Sequence, residues 1–246
     1  DGSCVFSTSA GQVFRLDLQT GATIWKTNDP LIPMFTTGGS ILGPDGSTIY
    51  TTYNGLALEK NKTAQHGMVA AYSFADGRLL WTRDVLMEAN NAAAIGVLGS
   101  GPNARLSVVV GLGTNPAMPD PSNGILSGKG GDDRVGAVAA LDAVSGQTLW
   151  VYQLPSWHGA ALGDDSRPDI CLPDAFSNPA IGGDGTVYVG HQSGLFYSIR
   201  DDDHDGAISG ADVSTFQTGA AFQGSPGIAD GMVVATCCDG MHVWRS

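Results

Sequence analysis

The stretch Gly11-Gln-Val-Phe-Arg-Leu-Asp-Leu-Gln-Thr-Gly-Ala-Thr-Ile-Trp25 decides the fold, because the chain repeats it twice more. The second copy is Gly67-Met-Val-Ala-Ala-Tyr-Ser-Phe-Ala-Asp-Gly-Arg-Leu-Leu-Trp81, and the third is Gly136-Ala-Val-Ala-Ala-Leu-Asp-Ala-Val-Ser-Gly-Gln-Thr-Leu-Trp150. Each copy has an apolar run, a turn that contains glycine, and a second run that ends in tryptophan. The turn glycine supplies the positive φ angle that a tight hairpin requires. We therefore predict three β-hairpins of the same design.

A second unit accompanies these hairpins. Ser40-Ile-Leu-Gly-Pro-Asp-Gly-Ser-Thr-Ile-Tyr-Thr-Thr matches Pro179-Ala-Ile-Gly-Gly-Asp-Gly-Thr-Val-Tyr-Val-Gly, and both match Pro226-Gly-Ile-Ala-Asp-Gly-Met-Val-Val-Ala-Thr. Each of these stretches predicts a strand, an Asp-Gly turn and another strand. Four short antiparallel strands in each repeat are typical of the blades of a β-propeller.

The repeats resemble the PQQ-like β-propeller family, which includes quinoprotein alcohol dehydrogenases and outer-membrane assembly propellers. The resemblance covers nearly the whole chain, because the glycines and the terminal tryptophan recur in step. It implies that Trp25, Trp81 and Trp150 pack between neighbouring blades. Burial of a large ring between two sheets stabilises their contact.

The predicted fold is all-β: a single propeller domain over residues 1–246 with about five four-stranded antiparallel blades. The strands of a blade are called A to D from the centre of the ring outward. The predicted blades are residues 1–27, 38–84, 93–153, 175–218 and 221–246. The first lacks strand A and the last lacks strand D, so we expect the natural ring to contain further blades.

Composition limits the classes of partner. The chain has 246 residues, 35 glycines, 15% charged residues and a formal net charge of −12. Such acidity argues against binding to nucleic acid or to anionic lipid, which require basic patches. No apolar run approaches the roughly 20 residues that cross a bilayer.

Residues 201–212, Asp-Asp-Asp-His-Asp-Gly-Ala-Ile-Ser-Gly-Ala-Asp, resemble an EF-hand calcium loop. Glycine at position 6 and isoleucine at position 8 fall in register with that motif. Position 12 is aspartate where the usual loop has glutamate, which leaves the affinity and the selectivity over magnesium open. The predicted ligands, which supply side-chain oxygens except for the carbonyl at position 7, are Asp201, Asp203, Asp205, Ala207, Ser209 and Asp212.

Strand alternation predicts which loops share a face of the ring. The three long insertions are residues 53–66, 113–134 and 155–173, and each is a B-to-C or a D-to-A connection. They therefore lie on one face, where we expect contacts with other proteins. The calcium loop replaces a C-to-D turn and lies on the opposite face, so we predict a structural ion.

An enzymatic function has weaker support. The vicinal pair Cys237-Cys238 favours a PQQ-dependent alcohol or polyvinyl alcohol dehydrogenase, since some of these enzymes carry a vicinal disulfide against the quinone. No calcium, carboxylate and tryptophan set around a quinone can be identified, so PQQ is not expected. His66, His158 and His191 form no Ser-His-Asp or metal spacing.

The sequence thus favours a noncatalytic, calcium-binding scaffold that contacts other proteins, such as an accessory subunit of a membrane-associated assembly. Two alternatives stay open: the PQQ dehydrogenase, and carbohydrate or polymer binding on the loop-rich face, in a pocket lined by Trp157 and its neighbours. The sequon Asn61-Lys62-Thr63 and the calcium loop favour a secreted, extracytoplasmic or organelle-lumen location. The cysteines Cys4, Cys171, Cys237 and Cys238 fit two disulfides or none.

Overall fold

The computed structural model describes residues 2–27, 33–34, 36–56, 65–85, 87–113, 133–134, 136–158, 162, 176–203 and 205–245. Regular structure in these residues consists of β-strands and two three-residue 3-10 helices, Gly101–Asn103 and Gly210–Asp212. None of the described residues belongs to a helix that is long and apolar enough to cross a membrane.

The strands are short and follow one another along the chain. In order they are β1 (Ser3–Ser7), β2 (Val13–Asp17), β3 (Thr23–Lys26), β4 (Pro33–Met34), β5 (Ser40–Leu42), β6 (Thr48–Leu56), β7 (Gln65–Ser73), β8 (Leu79–Asp84), β9 (Ala94–Leu98), β10 (Arg105–Gly113), β11 (Asp133–Arg134), β12 (Gly136–Asp142), β13 (Thr148–Gln153), β14 (Trp157–His158), β15 (Ala180–Ile181), β16 (Val187–Gly190), β17 (Leu195–Ile199), β18 (Val213–Gln217), β19 (Gly227–Ala229), β20 (Met232–Cys237) and β21 (Gly240–Arg245).

Five antiparallel sheets follow each other as the blades of a propeller. Their strand orders are β1-β2-β3, β5-β6-β7-β8, β9-β10-β12-β13, β15-β16-β17-β18 and β19-β20-β21. The short strand β4 pairs with the far end of β6 in the second blade. This architecture confirms the predicted all-β propeller with about five blades.

The repeated hairpins fold locally in the same way. The C-to-D turns carry Gly21, Gly77 and Gly146 at φ angles of 70°, 70° and 69°. The carboxylate of Asp142 accepts hydrogen bonds from the backbone N–H of Val144 (3.1 Å) and Ser145 (2.7 Å), which closes the turn. Because the same short-range interactions recur, the hairpin is set by local sequence.

Tryptophan links consecutive blades. The Trp25 indole N–H donates to the carbonyl of Phe74 at 3.0 Å, and the Trp81 indole N–H donates to the carbonyl of Ala143 at 3.0 Å. The rings lie against the turn glycines of the next blade: a Cβ on Gly146 would be 2.5 Å from the Trp81 ring. The first and second blades therefore each end in an indole that packs against the C-to-D turn of the next blade.

The junction between the fourth and fifth blades is built differently. Ser198 pairs with Ser214, at the register position where the first three blades pair strand C with tryptophan. The indole comes instead from Trp244 in β21, which stacks on Phe196 at 4.6 Å with an interplanar angle of 2°. A cleft of about 370 Å³ remains beside these residues. The indole that strand D of the fourth blade lacks is thus supplied by Trp244 of the fifth blade.

Buried His191 makes the stability depend on pH. It is 3% exposed, and burial lowers the pKa of its imidazole from 6.5 to about 4. Between these values the unfolded chain binds a proton that the folded chain does not. The free energy of unfolding is therefore highest above about pH 6.5 and falls as the pH is lowered towards 4. The expected loss at pH 4.5 is about 2–3 kcal/mol.

Urea unfolding at pH 7.5 and 4.5, in the presence of a chelator, measures this effect. The variant His191→Gln is expected to lose about 2–3 kcal/mol less than the wild type over the same interval. Equal losses in the two proteins would show that other groups cause the acid sensitivity.

Candidate metal centre

The acidic loop connects strands C and D of the fourth blade. Strand β17 ends at Ile199, the 3-10 helix Gly210–Asp212 closes the loop, and β18 starts at Val213. The two strands pair directly, with Ile199 opposite Val213. The thirteen residues 200–212 therefore occupy the place that a short Gly turn has in the first three blades.

Three of the predicted ligands converge. Carboxylate oxygens of Asp201, Asp203 and Asp205 lie within 4.8 Å of one another. The Asp201 Oδ1 atom is buried and has no hydrogen-bond partner among the described residues. Ionised carboxylates this close repel each other unless a cation lies between them. The donor set consists of hard oxygens, which suits Ca²⁺.

The loop backbone turns sharply at the glycine of position 6. The Gly206 N–H donates to Asp201 Oδ2 at 3.0 Å, and the Ala207 N–H donates to Asp205 Oδ1 at 2.7 Å. Gly206 has a φ of 81°, which disfavours any residue with a Cβ. These bonds hold the carboxylates of Asp201 and Asp205 on the inside of the turn.

Asp212 lies outside the cluster of three carboxylates and bonds to Ser209. Asp212 Oδ2 accepts hydrogen bonds from the N–H (2.9 Å) and hydroxyl (2.8 Å) of Ser209, and Asp212 Oδ1 accepts from the Asp202 N–H at 3.3 Å. These bonds, the one from the Ser209 backbone above all, lower the pKa of the Asp212 carboxyl. The two residues form a capping box that closes the loop, as is common for serine before a helical turn. Their predicted role as ligands stays a prediction.

Asp202 points away from the cluster. Its carboxylate accepts from Arg200 Nε at 2.5 Å, and Arg200 Nη1 also contacts Asp184 Oδ2 at 2.8 Å. The arginine therefore neutralises two carboxylates outside the cluster, while the three inside it have no cationic partner from this residue. The loop positions predicted Asp201, Asp203 and Asp205 as ligands and left Asp202 out, but they did not show that Asp202 pairs with Arg200.

The loop lies at the junction of the third and fourth blades. Asp201 and Asp205 line a cleft of about 420 Å³ whose other wall includes Trp150 and Arg105 of the third blade. Trp150, Ile208 and Val213 all pack against the same buried cluster between these blades. Sequence reasoning missed the residues of the opposite wall, because they belong to another repeat and no spacing relates them to the loop.

Two predicted segments of the loop-rich face meet in the structure. Asp133 pairs with His158 and Arg134 pairs with Trp157, which joins residues 113–134 to residues 155–173. Leu162 donates its N–H to the Gln192 carbonyl and accepts from the Ala221 N–H, so this connection crosses the fourth blade's B-to-C turn. In residues 53–66, positions 53–56 and 65–66 are paired strand rather than loop. Residues 57–64, 114–132, 159–161 and 163–175 lie outside the described residues.

The vicinal cysteines do not bond to each other. Cys237 is a free thiol whose Sγ donates to Asp239 Oδ1 at 2.8 Å, whereas Cys238 is disulfide-bonded. The partner of Cys238 lies outside the described residues, as does Cys171. Cys237 and Cys238 therefore do not form the vicinal disulfide that would have favoured a quinone site.

Comparison with known proteins gives the family and the fold. A family model described as outer membrane protein assembly factor BamB matches residues 9–168 and 63–221 in two overlapping segments. None of the curated proteins matches the sequence.

Solved structures are similar over almost the whole chain. They include BamB from Moraxella catarrhalis (18% identity, TM-score 0.39, 100% of this chain and 70% of the other), quinohemoprotein alcohol dehydrogenase ADHIIG from Pseudomonas putida HK5 (16%, 0.52, 96% and 35%) and the Dos1 propeller (12%, 0.56, 97% and 47%). The chain thus spans less than half the length of the last two. At these identities the likeness shows the fold alone.

Proposed function

The chain belongs to the propeller family described as outer membrane protein assembly factor BamB, and from this premise we propose that it is a noncatalytic scaffold stabilised by one calcium ion. Its ligands come from the acidic loop, with Asp201, Asp203 and Asp205 at the centre. The family description supports contacts with other proteins in an extracytoplasmic, membrane-associated assembly. The disulfide at Cys238 supports an oxidising compartment.

The observation that carries the proposal is the buried Asp201 Oδ1, which has no partner among the described residues and lies in a cluster of three carboxylates. A divalent ion supplies that missing partner and removes the repulsion. Because the loop borders Trp150 and the third blade, the ion stabilises the junction of two blades as well as its own hairpin.

A structural role fits better than calcium sensing. A sensor loop lies between two helices whose angle changes on binding. Here paired strands β17 and β18 flank the loop. Paired strands within a packed sheet have little freedom to move apart, so calcium is expected to stabilise one conformation.

Thermal unfolding of the purified chain with calcium and with chelator tests the ion site. At a calcium concentration about 100 times Kd we expect about 2.7 kcal/mol of stabilisation, or roughly 5–10 °C in Tm. Asp201→Ala and Asp203→Ala are expected to abolish this difference. Identical melting of the wild type with calcium and with chelator would refute the site.

Asp202→Ala is the matched control, since it makes the same charge change in the same loop. Its carboxylate pairs with Arg200 and not with the cluster, so its calcium response is expected to persist. Hydrogen exchange adds a local readout. Calcium should slow exchange in Val213–Gln217 and Thr148–Gln153 and leave Ser3–Ser7 unchanged.

The noncatalytic part of the proposal needs a separate assay. The purified chain is incubated with PQQ, calcium and primary alcohols or polyvinyl alcohol, and reduction of a dye is followed. We expect no turnover above that of PQQ alone. Turnover above that of PQQ alone would contradict the noncatalytic scaffold and favour a PQQ-dependent dehydrogenase.

A further inference from the structure

A second cluster of metal-ligand side chains lies at the B-to-C turn of the fifth blade. Cys237 ends β20, Asp239 lies in the turn, and His242 belongs to β21. One ligand atom from each residue lies within 4.8 Å of the other two. The Cys237 Sγ is 2.8 Å from Asp239 Oδ1, and the His242 Nε2 is 4.0 Å from the same oxygen.

The fold holds these three side chains in place. Cys237 pairs with Gly240, so only two residues separate the strands. The Cys238 N–H donates to the Ala221 carbonyl at 2.9 Å, and its side chain is disulfide-bonded, which fixes the turn from the other side. The His242 ring stacks on Trp244 at 5.7 Å, which fixes the direction of its nitrogens.

A glycine makes room for the carboxylate. A Cβ on Gly219 would be 2.6 Å from Asp239 Oδ2, so any larger residue there would displace the Asp239 side chain. Gly219 belongs to the connection between the fourth and fifth blades. The absence of a side chain at Gly219 thus leaves the space that the Asp239 carboxylate occupies.

We propose that Cys237, Asp239 and His242 form a zinc site with a fourth position open to water. One sulfur, one nitrogen and one oxygen donor suit a borderline-soft ion, whereas calcium prefers oxygen alone. With zinc–ligand bonds of about 2.0–2.3 Å, donors around one ion lie roughly 3–4 Å apart, close to the separations in this turn. The ion takes the thiolate, and the thiol proton passes to solvent.

This site is separate from the acidic loop in place and chemistry. The loop is a C-to-D turn with an all-oxygen cluster, whereas the Cys237 cluster is a B-to-C turn, which by strand alternation lies on the opposite face of the ring. Loss of calcium binding in Asp203→Ala would therefore leave zinc binding unchanged, and the two proposals can fail independently.

Cobalt substitution and zinc titration test the proposal on the whole chain with the Cys238 disulfide intact, Cys237 as a free thiol and calcium present. Co²⁺ bound by a thiolate gives a sulfur-to-cobalt charge-transfer absorption, which we expect in the wild type at one equivalent. Cys237→Ser is expected to abolish the band. Zinc affinity, measured by competition with a chromophoric chelator, should fall more than about tenfold in Asp239→Ala and His242→Ala, because losing even an outer-shell partner weakens metal binding by about 10–100-fold.

Cys4→Ser is the matched control, since Cys4 is the other free cysteine among the described residues. It should keep both the cobalt band and the zinc affinity, as should Asp203→Ala. Melting curves without metal show whether each variant is folded. A wild type without the thiolate band, or a band that survives in Cys237→Ser, would overturn the zinc site and leave a hydrogen-bonded turn.

Discussion

Trp81→Ala is expected to lower the free energy of unfolding by about 3 kcal/mol, or roughly 6–12 °C in Tm. The substitution removes the ring that packs against Gly146 and Tyr50, and the indole N–H bond to the Ala143 carbonyl. It leaves a cavity between the second and third blades. The expected loss lies at the lower end of the range for Trp→Ala because the ring is only partly buried.

Leu80→Ala is the control for this experiment, because Leu80 precedes Trp81 in the same strand and is 41% exposed. Its expected cost is below about 1 kcal/mol. Urea unfolding followed by circular dichroism measures both variants. Equal costs for the two would mean that the indole does not hold the blades together.

Phe222→Ala is expected to cost about 3–5 kcal/mol, because the ring is fully buried beside Phe196 at 5.3 Å. Gly190 lies directly beneath it: a Cβ there would be 2.3 Å from Phe222 Cβ and Cγ. Gly190→Ala is therefore expected to cost about 1–3 kcal/mol by overpacking.

The double variant distinguishes this contact from two independent effects. In Phe222→Ala the ring atoms Cγ and Cδ1, which would be 2.3 and 2.9 Å from the added methyl of Gly190→Ala, are gone, and only the Cβ at 2.3 Å remains, so the backbone has space to shift away from it. The double variant should be more stable than the sum of the single costs predicts, by about 1 kcal/mol or more. Strictly additive costs in urea unfolding would contradict the close contact.

The acidic loop shows how much of a metal site can be predicted from the spacing of residues along the chain. The sequence predicted the roles of Asp201, Asp203, Asp205 and Gly206, because the contacts among these residues lie within one twelve-residue loop. Spacing did not reveal that Asp202 pairs with Arg200, nor that Ser209 and Asp212 bond to each other. Both depend on which side of the backbone each carboxylate takes, which the packing of the turn decides.

The fifth blade shows the opposite case. From the sequence, the pair Cys237-Cys238 indicated only the vicinal disulfide of a quinone site. In the structure one thiol lies beside Asp239 and the other is in a disulfide. The Cys-x-Asp-x-x-His spacing is a weak signal by itself, since it becomes a site only when the hairpin register brings β20 and β21 together.

The sequence by itself determined the strands, the hairpin turns, the repeat of the blade and the acidic turn, because each depends on residues less than about fifteen positions apart. The tertiary structure alone decided what surrounds the indoles at the last two junctions: Trp150 lies beside the acidic loop, and Trp244 fills the junction where strand D carries Ser214 in place of tryptophan. These contacts join different repeats, and packing between sheets depends on the volume that the neighbouring blade leaves free, which no local pattern records.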